Sequence, residues 1–461
     1  MSGRPHVLLL ICDQMQAARM GCAGDPAAHT PFLDSLAREG VRFTHMISAH
    51  GQCVPSRASL ITGRHPHECG VIVNYGFHGH QNRLSPTRFP TLGQVFREAG
   101  YRTAYFGKCH FGVPLADLGY DEGIDHDDVR VDDGEAERVG LGHVPRGLRR
   151  DYVAARDAVE WLRGYEPAGR PLFLTFSTNL PHPPFFHEPA FRGRFDAASL
   201  ELPASYHGES FEGKPAFQAA HAADGSHGAG SEEEAREMLA RYYSMIARTD
   251  AHFSEIAAEF RRLGLWDDTV VAVISDHGDM MAAHGMRLKG TLPYDELYRV
   301  PFLLKPPRGV SPRRREVDDL VSSVQVAGTL AGLAGLEAEF PHGDLCGALS
   351  AEARPEGEEA VFFEHYAAYW GVHPFYGVRT RDWKLVRYFG DGEAGAAELY
   401  HLAADPHELT NLSGRPEHAG MERRLAAQAD AWWRGTGGRD LAYYESEAFR
   451  NNEHNATPRR P

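Results

Sequence analysis

Five short, unbroken apolar runs set the strongest limit on how this chain folds. They are His6–Cys12, Arg102–Phe106, Pro171–Ser177, Thr269–Ser275 and Val300–Leu304. Each lacks the apolar–polar alternation of a strand with one wet face, so each reads as a buried parallel strand covered on both sides. Helical patterns fall between them. Thr30–Gly40 and Thr91–Gly100 begin on a Thr cap and stop on Gly. Asp151–Tyr165 and Glu232–Leu263 carry 3.6-residue spacing. The alternation predicts an α/β fold, with a mainly parallel central sheet sandwiched by helices.

Beyond residue 350 the texture changes. Tyr376–Arg381, Trp383–Tyr388 and Glu398–His401 read as short antiparallel strands, and a helix follows near Glu417–Arg434. The expected organisation is a larger α/β domain over 1–345 and a smaller α+β subdomain over 346–461. Two stretches read as excursions: 117–150, acidic and Gly-rich, as a lid, and 203–231, rich in Gly, His, Ala and Ser, as a mobile insertion. The tail from Arg450 reads as frayed.

Charge and cysteine usage exclude several classes. The formal net charge of −15 argues against sequence-independent nucleic-acid binding and against docking on anionic lipid. No apolar run approaches the ~18–20 residues of a membrane span. The first run meets Asp13 directly and has no small-residue cleavage site, so it reads as a strand and not a signal peptide. The six cysteines form neither a disulfide framework nor a zinc pattern. The expectation is a cytoplasmic protein with no membrane and no nucleic acid among its partners.

Ligands of parallel sheets bind outside the carboxyl ends of the strands. Four of the runs end in groups suited to such a site: Asp13-Gln14, Gly107-Lys108-Cys109-His110, Asn179-Leu180-Pro181-His182-Pro183 and Asp276-His277-Gly278-Asp279. Asp13, Asp276 and His277 are oxygen and nitrogen donors for a divalent cation. Taken singly, Asp13 reads as well as a turn cap, and DHGD as an Asx turn. Lysine use is a further hint. Only five of the 48 Lys and Arg residues are lysines, and Lys108 and Lys289 follow these motifs.

The segment Gly51–Arg64 (GQCVPSRASLITGR) is the most informative. Pro55 suits a first helical turn and Gly63 a stop, so Cys53 lies at a helix N-terminus with Arg57 one turn on. A thiol there is acidified and faces anions, as a nucleophile for an oxyanion substrate would. The Cys-x3-Arg spacing does not match the Cys-x5-Arg loop of cysteine phosphatases.

Cys53-x-Pro55-Ser56-Arg57, with Ala58-Ser59-Leu60 and Gly63-Arg64, resembles the signature of the type I sulfatases of the alkaline-phosphatase-like superfamily. The resemblance extends to Asp13, TPFLDSLAREGVRF, GKCH, PHPP, SDHGD, Lys289-Gly290 and ELYHLAADPHELTNL. It implies hydrolysis of a small-molecule sulfate ester. It also implies that a formylglycine-generating enzyme oxidises Cys53 to formylglycine, whose hydrate attacks sulfur with one hydroxyl and expels sulfate with the other. Asp13, Gln14, Cys53, Asp276 and His277 would hold one divalent ion. Arg57 would stabilise the diol, and Lys108 would contact the diol and the sulfuryl oxygens. His110 would help deprotonate the second hydroxyl. His182 and Lys289 would serve the leaving group, one of them as general acid, and Asn74 would bind a substrate oxygen. Gln14 stands where many members have a second acid, and His277 where many have Asn. These departures resemble the choline-sulfatase and phosphonate-monoesterase branch. They leave open Ca2+ or Mn2+, and a phosphonate monoester or phosphodiester as the alternative substrate. A homo-oligomer is also left open.

Overall fold

The computed structural model describes residues 3–127, 129–167, 169–351, 360–368, 371–390 and 395–455. Eight strands form the main sheet: β1 (His6–Cys12), β2 (Val41–Ile47), β3 (Arg102–Gly107), β4 (Glu122–Asp125), β5 (Leu172–Ser177), β6 (Thr269–Ser275), β7 (Arg299–Lys305) and β8 (Glu316–Ser322). Their spatial order is β4-β3-β5-β1-β6-β7-β2-β8. β1 lies at the centre, parallel to both β5 and β6. The α/β sandwich expected from the alternation is the observed architecture.

Apolar continuity comes from double-sided burial. Leu8 and Leu10 enter one core with residues of the helices Arg146–Arg163 and Glu232–Arg262. Val7, Leu9 and Ile11 enter the opposite core, with the helices Cys53–Thr62 and Leu92–Glu98. A strand with both faces dry has no reason to alternate. The same logic explains what the apolar runs miss. β4 (EGID) and β8 (EVDDLVS) are edge strands with polar residues.

One strand differs in direction from the expectation. The run Val300–Leu304 lies in β7, which is antiparallel to both β6 and β2. Burial on both faces makes a strand apolar whatever its direction, so the run could not reveal the reversal.

The C-terminal region adds a four-stranded antiparallel sheet, ordered β12-β11-β10-β9, from β9 (Ala360–Ala368), β10 (Gly371–Thr380), β11 (Trp383–Tyr388) and β12 (Ala397–His401). The helix Ala419–Gly435 covers it. β9 is a strand the sequence reading passed over, because Glu364 and His365 interrupt its apolar run.

The three stretches expected as loops carry structure of their own. Stretch 117–150 supplies β4 to the sheet edge, the helix Asp133–Arg138 and the start of the helix Arg146–Arg163, and it lines the cavity described below. Stretch 203–231 is pinned. Lys214 Nζ donates to Glu209 (2.6 Å), Tyr294 Oη (3.2 Å) and the Glu408 carbonyl (2.7 Å), all from a segment whose small residues hide these anchors. Residues 450–455 are docked, with Asn455 Nδ2 donating to the carbonyls of Cys69 and Arg83 at 3.0 Å each. The rest of the expected frayed tail, 456–461, lies outside the described residues. Among the described residues no helix is long and apolar enough to cross a membrane.

Candidate active site

Strand direction assembles the site. β1, β3, β5 and β6 run parallel and deliver Asp13, Lys108, His182 and Asp276-His277 to one rim. β7 runs the other way, so the segment before it, carrying Lys289, arrives at that rim too. β2 leads through 48–52 into the helix Cys53–Thr62, which Gly63 closes with a left-handed φ of 62°.

Side-chain donors of Asp13, Cys53, Asp276 and His277 all lie within 4.8 Å of one another, and all four residues are buried. Cys53 Sγ is 3.2 Å from His277 Nε2, 2.9 Å from Lys289 Nζ and 3.7 Å from Asp13 Oδ1. His277 Nδ1 donates to the Gly278 carbonyl (2.7 Å), which in the neutral ring turns the Nε2 lone pair toward Cys53 Sγ and Lys289 Nζ (3.4 Å). Arg57 ties the acids together. Its Nε donates to Asp276 Oδ2 (2.8 Å) and its Nη2 to Asp13 Oδ2 (3.2 Å). Lys108 Nζ lies 2.7 Å from Asp13 Oδ2.

Gln14 sits at a left-handed φ of 72°. Its Nε2 donates to Asp279, and its Oε1 accepts from Lys289 Nζ at 2.9 Å. Asp279, Ser177 and Ser48 are supports the sequence reading did not single out. Asp279 fixes the Gln14 amide, Ser177 Oγ accepts from Arg57 Nη1 (2.8 Å), and Ser48 Oγ donates to the Asp276 carbonyl (2.6 Å). Asp279 was legible as the last residue of SDHGD. The two serines carry no signal of their own.

Electrostatics single out one thiol. Burial pushes Cys22, Cys69 and Cys346 up to about 12, and Cys12 and Cys109 also rise. At Cys53 burial and Asp13 act upward, yet Lys108, Lys289 and His277 outweigh them and hold the thiol well below its usual range. Burial raises Asp13 as well, but Lys108, His182, Lys289 and Arg57 prevail and keep it ionised. Asp276 is raised, by burial first and then by Asp13. Burial lowers His182 far below the ordinary imidazole range, and Lys289 and Lys108 reinforce it.

Above these groups opens a cavity of about 1090 Å³. Cys53, Asn74, Lys108, His110, His182 and Lys289 line it, while Asp13, Gln14, Arg57, Asp276 and His277 lie beneath its floor. His182 Nδ1 donates to the Pro183 carbonyl at 2.7 Å. Asn74 Oδ1 accepts from the Val54 N–H at 3.0 Å, so only its Nδ2 is left for a substrate. His110 is held by its N–H to Asp127, and its buried Nδ1 has no partner among the described residues. Tyr105, Cys109 and Phe111 pack in the core instead. A second group, His65, Glu68 and His342, also lies within ligating distance, but Glu68 Oε2 is occupied by His342 Nε2 (2.7 Å) and the His65 N–H (2.7 Å).

A buried thiol at a helix N-terminus, flanked by two ammonium groups and by a carboxylate–imidazole donor set, matches the arrangement the signature implies. The sulfatase family model matches residues 5–336, and the model described as "N-sulphoglucosamine sulphohydrolase, C-terminal" matches 284–432. The chain belongs to the sulfatase family. This sulfatase is therefore a sulfuric-ester hydrolase of the alkaline-phosphatase-like superfamily. It is 26% identical over 445 residues to an ulvan-active sulfatase of Formosa agariphila, covering 92% of this chain and 80% of the relative. It is 27% identical to a choline-sulfatase of Rhizobium meliloti, covering 97% and 88%. In fold it resembles the phosphonate monoester hydrolase of Silicibacter pomeroyi, with a TM-score of 0.79, 21% identity and coverage of 95% and 97%.

Proposed function

We propose that this sulfatase hydrolyses a small-molecule sulfate ester with residue 53 as formylglycine and one divalent ion, Ca2+ or Mn2+. The observation that carries the reading is the convergence of Cys53 Sγ on His277 Nε2 and Lys289 Nζ at the foot of the cavity. Asp13, Asp276, His277 and residue 53 would hold the ion, with Gln14 Oε1 as a neutral donor beside them. The donor set fits: two buried carboxylates and an imidazole lone pair are hard and borderline ligands within one cluster. The ion would act as a Lewis acid on the sulfuryl group, and the hydrated aldehyde would supply one hydroxyl to attack sulfur and another to expel sulfate.

The chain's own side chains do the rest. Arg57 holds the two carboxylates in register. Lys108 and Lys289 flank residue 53 and bind the charge that builds on the sulfuryl oxygens. His182 is neutral, with its one N–H committed to Pro183, so it cannot donate at Nε2. Lys289 Nζ, 2.9 Å from both residue 53 and Gln14 Oε1, is the proton donor to the leaving oxygen. His110, on the cavity wall, takes the proton of the second hydroxyl. Asn74 Nδ2 donates to a substrate oxygen. A formylglycine-generating enzyme is the maturation partner. Residues 1–345 carry the chemistry, and 346–461 form the smaller subdomain that backs it.

A second reading has its own support. With Gln14 and His277 in place of acids, the donor set is less anionic and softer, which also suits Mn2+ and a phosphonate monoester or phosphodiester. Comparing kcat/KM for an aryl sulfate, an aryl phosphonate monoester and an aryl phosphodiester, with each metal, decides between them. The sulfate is expected to lead; a diester or phosphonate ahead by orders of magnitude transfers the function to the second reading.

A further inference from the structure

The outer wall of the catalytic cavity contains two arginines that form no ion pair among the described residues. Arg130 Nη1 donates to the Asp127 carbonyl at 3.1 Å, and Arg150 Nη1 donates to that same oxygen at 3.0 Å. The two guanidinium groups therefore approach within about 6 Å across one neutral acceptor. Among the described residues neither forms an ion pair. Their neighbours do: Arg146 and Arg149 both pair with Asp133. Three acids line the same wall, and each accepts from backbone N–H groups. Asp125 Oδ1 accepts from the N–H groups of Cys109 and Asp127, Asp127 Oδ2 from His110, and Asp132 Oδ1 from Glu135.

Two like charges sharing a single carbonyl repel, and guanidinium forks are shaped for planar or tetrahedral oxyanions. Both residues line the cavity that holds Cys53, Lys108 and Lys289. We propose that Arg130 and Arg150 form a second anion subsite, and that the alcohol released by this enzyme carries a carboxylate or a second sulfate beside the ester. The proposal rests on the sulfatase reading for the reacting end and adds the chemistry of the other end. It assigns specificity to stretch 117–150. Stretch 203–231 does not line the cavity.

Three esters test it: a neutral sugar monosulfate, the matching uronate monosulfate and the matching disulfate, each with the parent enzyme and with the double variant Arg130→Gln/Arg150→Gln. The variant is expected to lose about ten- to a hundred-fold in kcat/KM on the two acidic esters, the size of a lost charge-assisted hydrogen bond, and to keep the parent rate on the neutral one. A loss on the uronate alone or the disulfate alone supports the subsite and tells which anion it takes. Equal loss on all three, or loss on none, overturns it. Should none of these esters turn over, the aryl-sulfate assay above decides the sulfatase reading separately, and calorimetric titration with the disulfate and monosulfate still decides the subsite. Tighter disulfate binding that the variant abolishes supports it, and equal affinities overturn it.

Discussion

Arg57 makes the clearest case for a residue whose chemistry cannot be exchanged. It is fully buried, and three of its nitrogens serve two carboxylates, a serine hydroxyl and a backbone carbonyl at once. An ammonium cannot reproduce that fork. Arg57→Lys is expected to cost about 3–5 kcal/mol in urea unfolding, because it leaves part of a buried acid pair uncompensated. It should also lower kcat/KM about a hundred-fold or more. Unchanged stability would contradict the placement. Cys53 gives a second test at this scale. In protein made without formylglycine formation, its thiolate is expected to react with a small alkylating reagent ahead of the other five thiols, which burial keeps protonated. Peptide mapping after limited labelling reads the order, and even labelling would count against the acidified site.

At the level of elements, strand ends and their anchors carry the site. Gly107 closes β3 at φ 110°, and an added Cβ would stand 1.8 Å from the Ser177 carbonyl oxygen. Gly107→Ala therefore forces β3 away from β5 and displaces Lys108. Loss of soluble expression, or destabilisation above about 3 kcal/mol, is expected, and near-normal melting would refute the close approach. The C-terminal sheet is fastened through Asp295, which pairs with Arg379 (3.0 Å) and Lys384 (2.7 Å). Burial pushes this carboxyl up, but Arg379 and Lys384 pull it far below its usual range. A depressed native pKa gives stability that is present above the ordinary value near ~4 and lost as pH falls through the native one. Asp295→Asn is expected to cost about 3–5 kcal/mol at pH 7 and to flatten the acid dependence of unfolding followed by tryptophan fluorescence. An unchanged acid limb would oppose this. The five doubly buried strands were legible because dryness on both faces writes itself as an apolar run. The edge strands β4 and β8 were not, since β4 has no buried residue and Asp318 and Asp319 break the apolar run of β8, and the reversal of β7 leaves no local mark.

Across the whole molecule, the parallel strands converge four sequence motifs that lie up to 264 residues apart, from Asp13 to His277. The acids, imidazole and lysines were readable because their strand-end positions name them. The supports Ser48 and Ser177, and the bond from Asn74 to Val54, were not, because they depend on how loops meet in space. A bound ion would tie these elements together, so its removal should be felt globally. Chelation is expected to lower the melting temperature and abolish turnover, with Ca2+ or Mn2+ restoring both; an ion at a hundred times its dissociation constant contributes about 2.7 kcal/mol. No change on chelation would speak against the donor set. The chemistry at position 53 remains the central claim, and intact-peptide mass spectrometry of catalytically active native protein tests it most directly. The Cys53 peptide is expected to be lighter by the difference between a CH2SH and a CHO group, whereas active enzyme whose Cys53 peptide keeps the full mass of the thiol would contradict formylglycine chemistry.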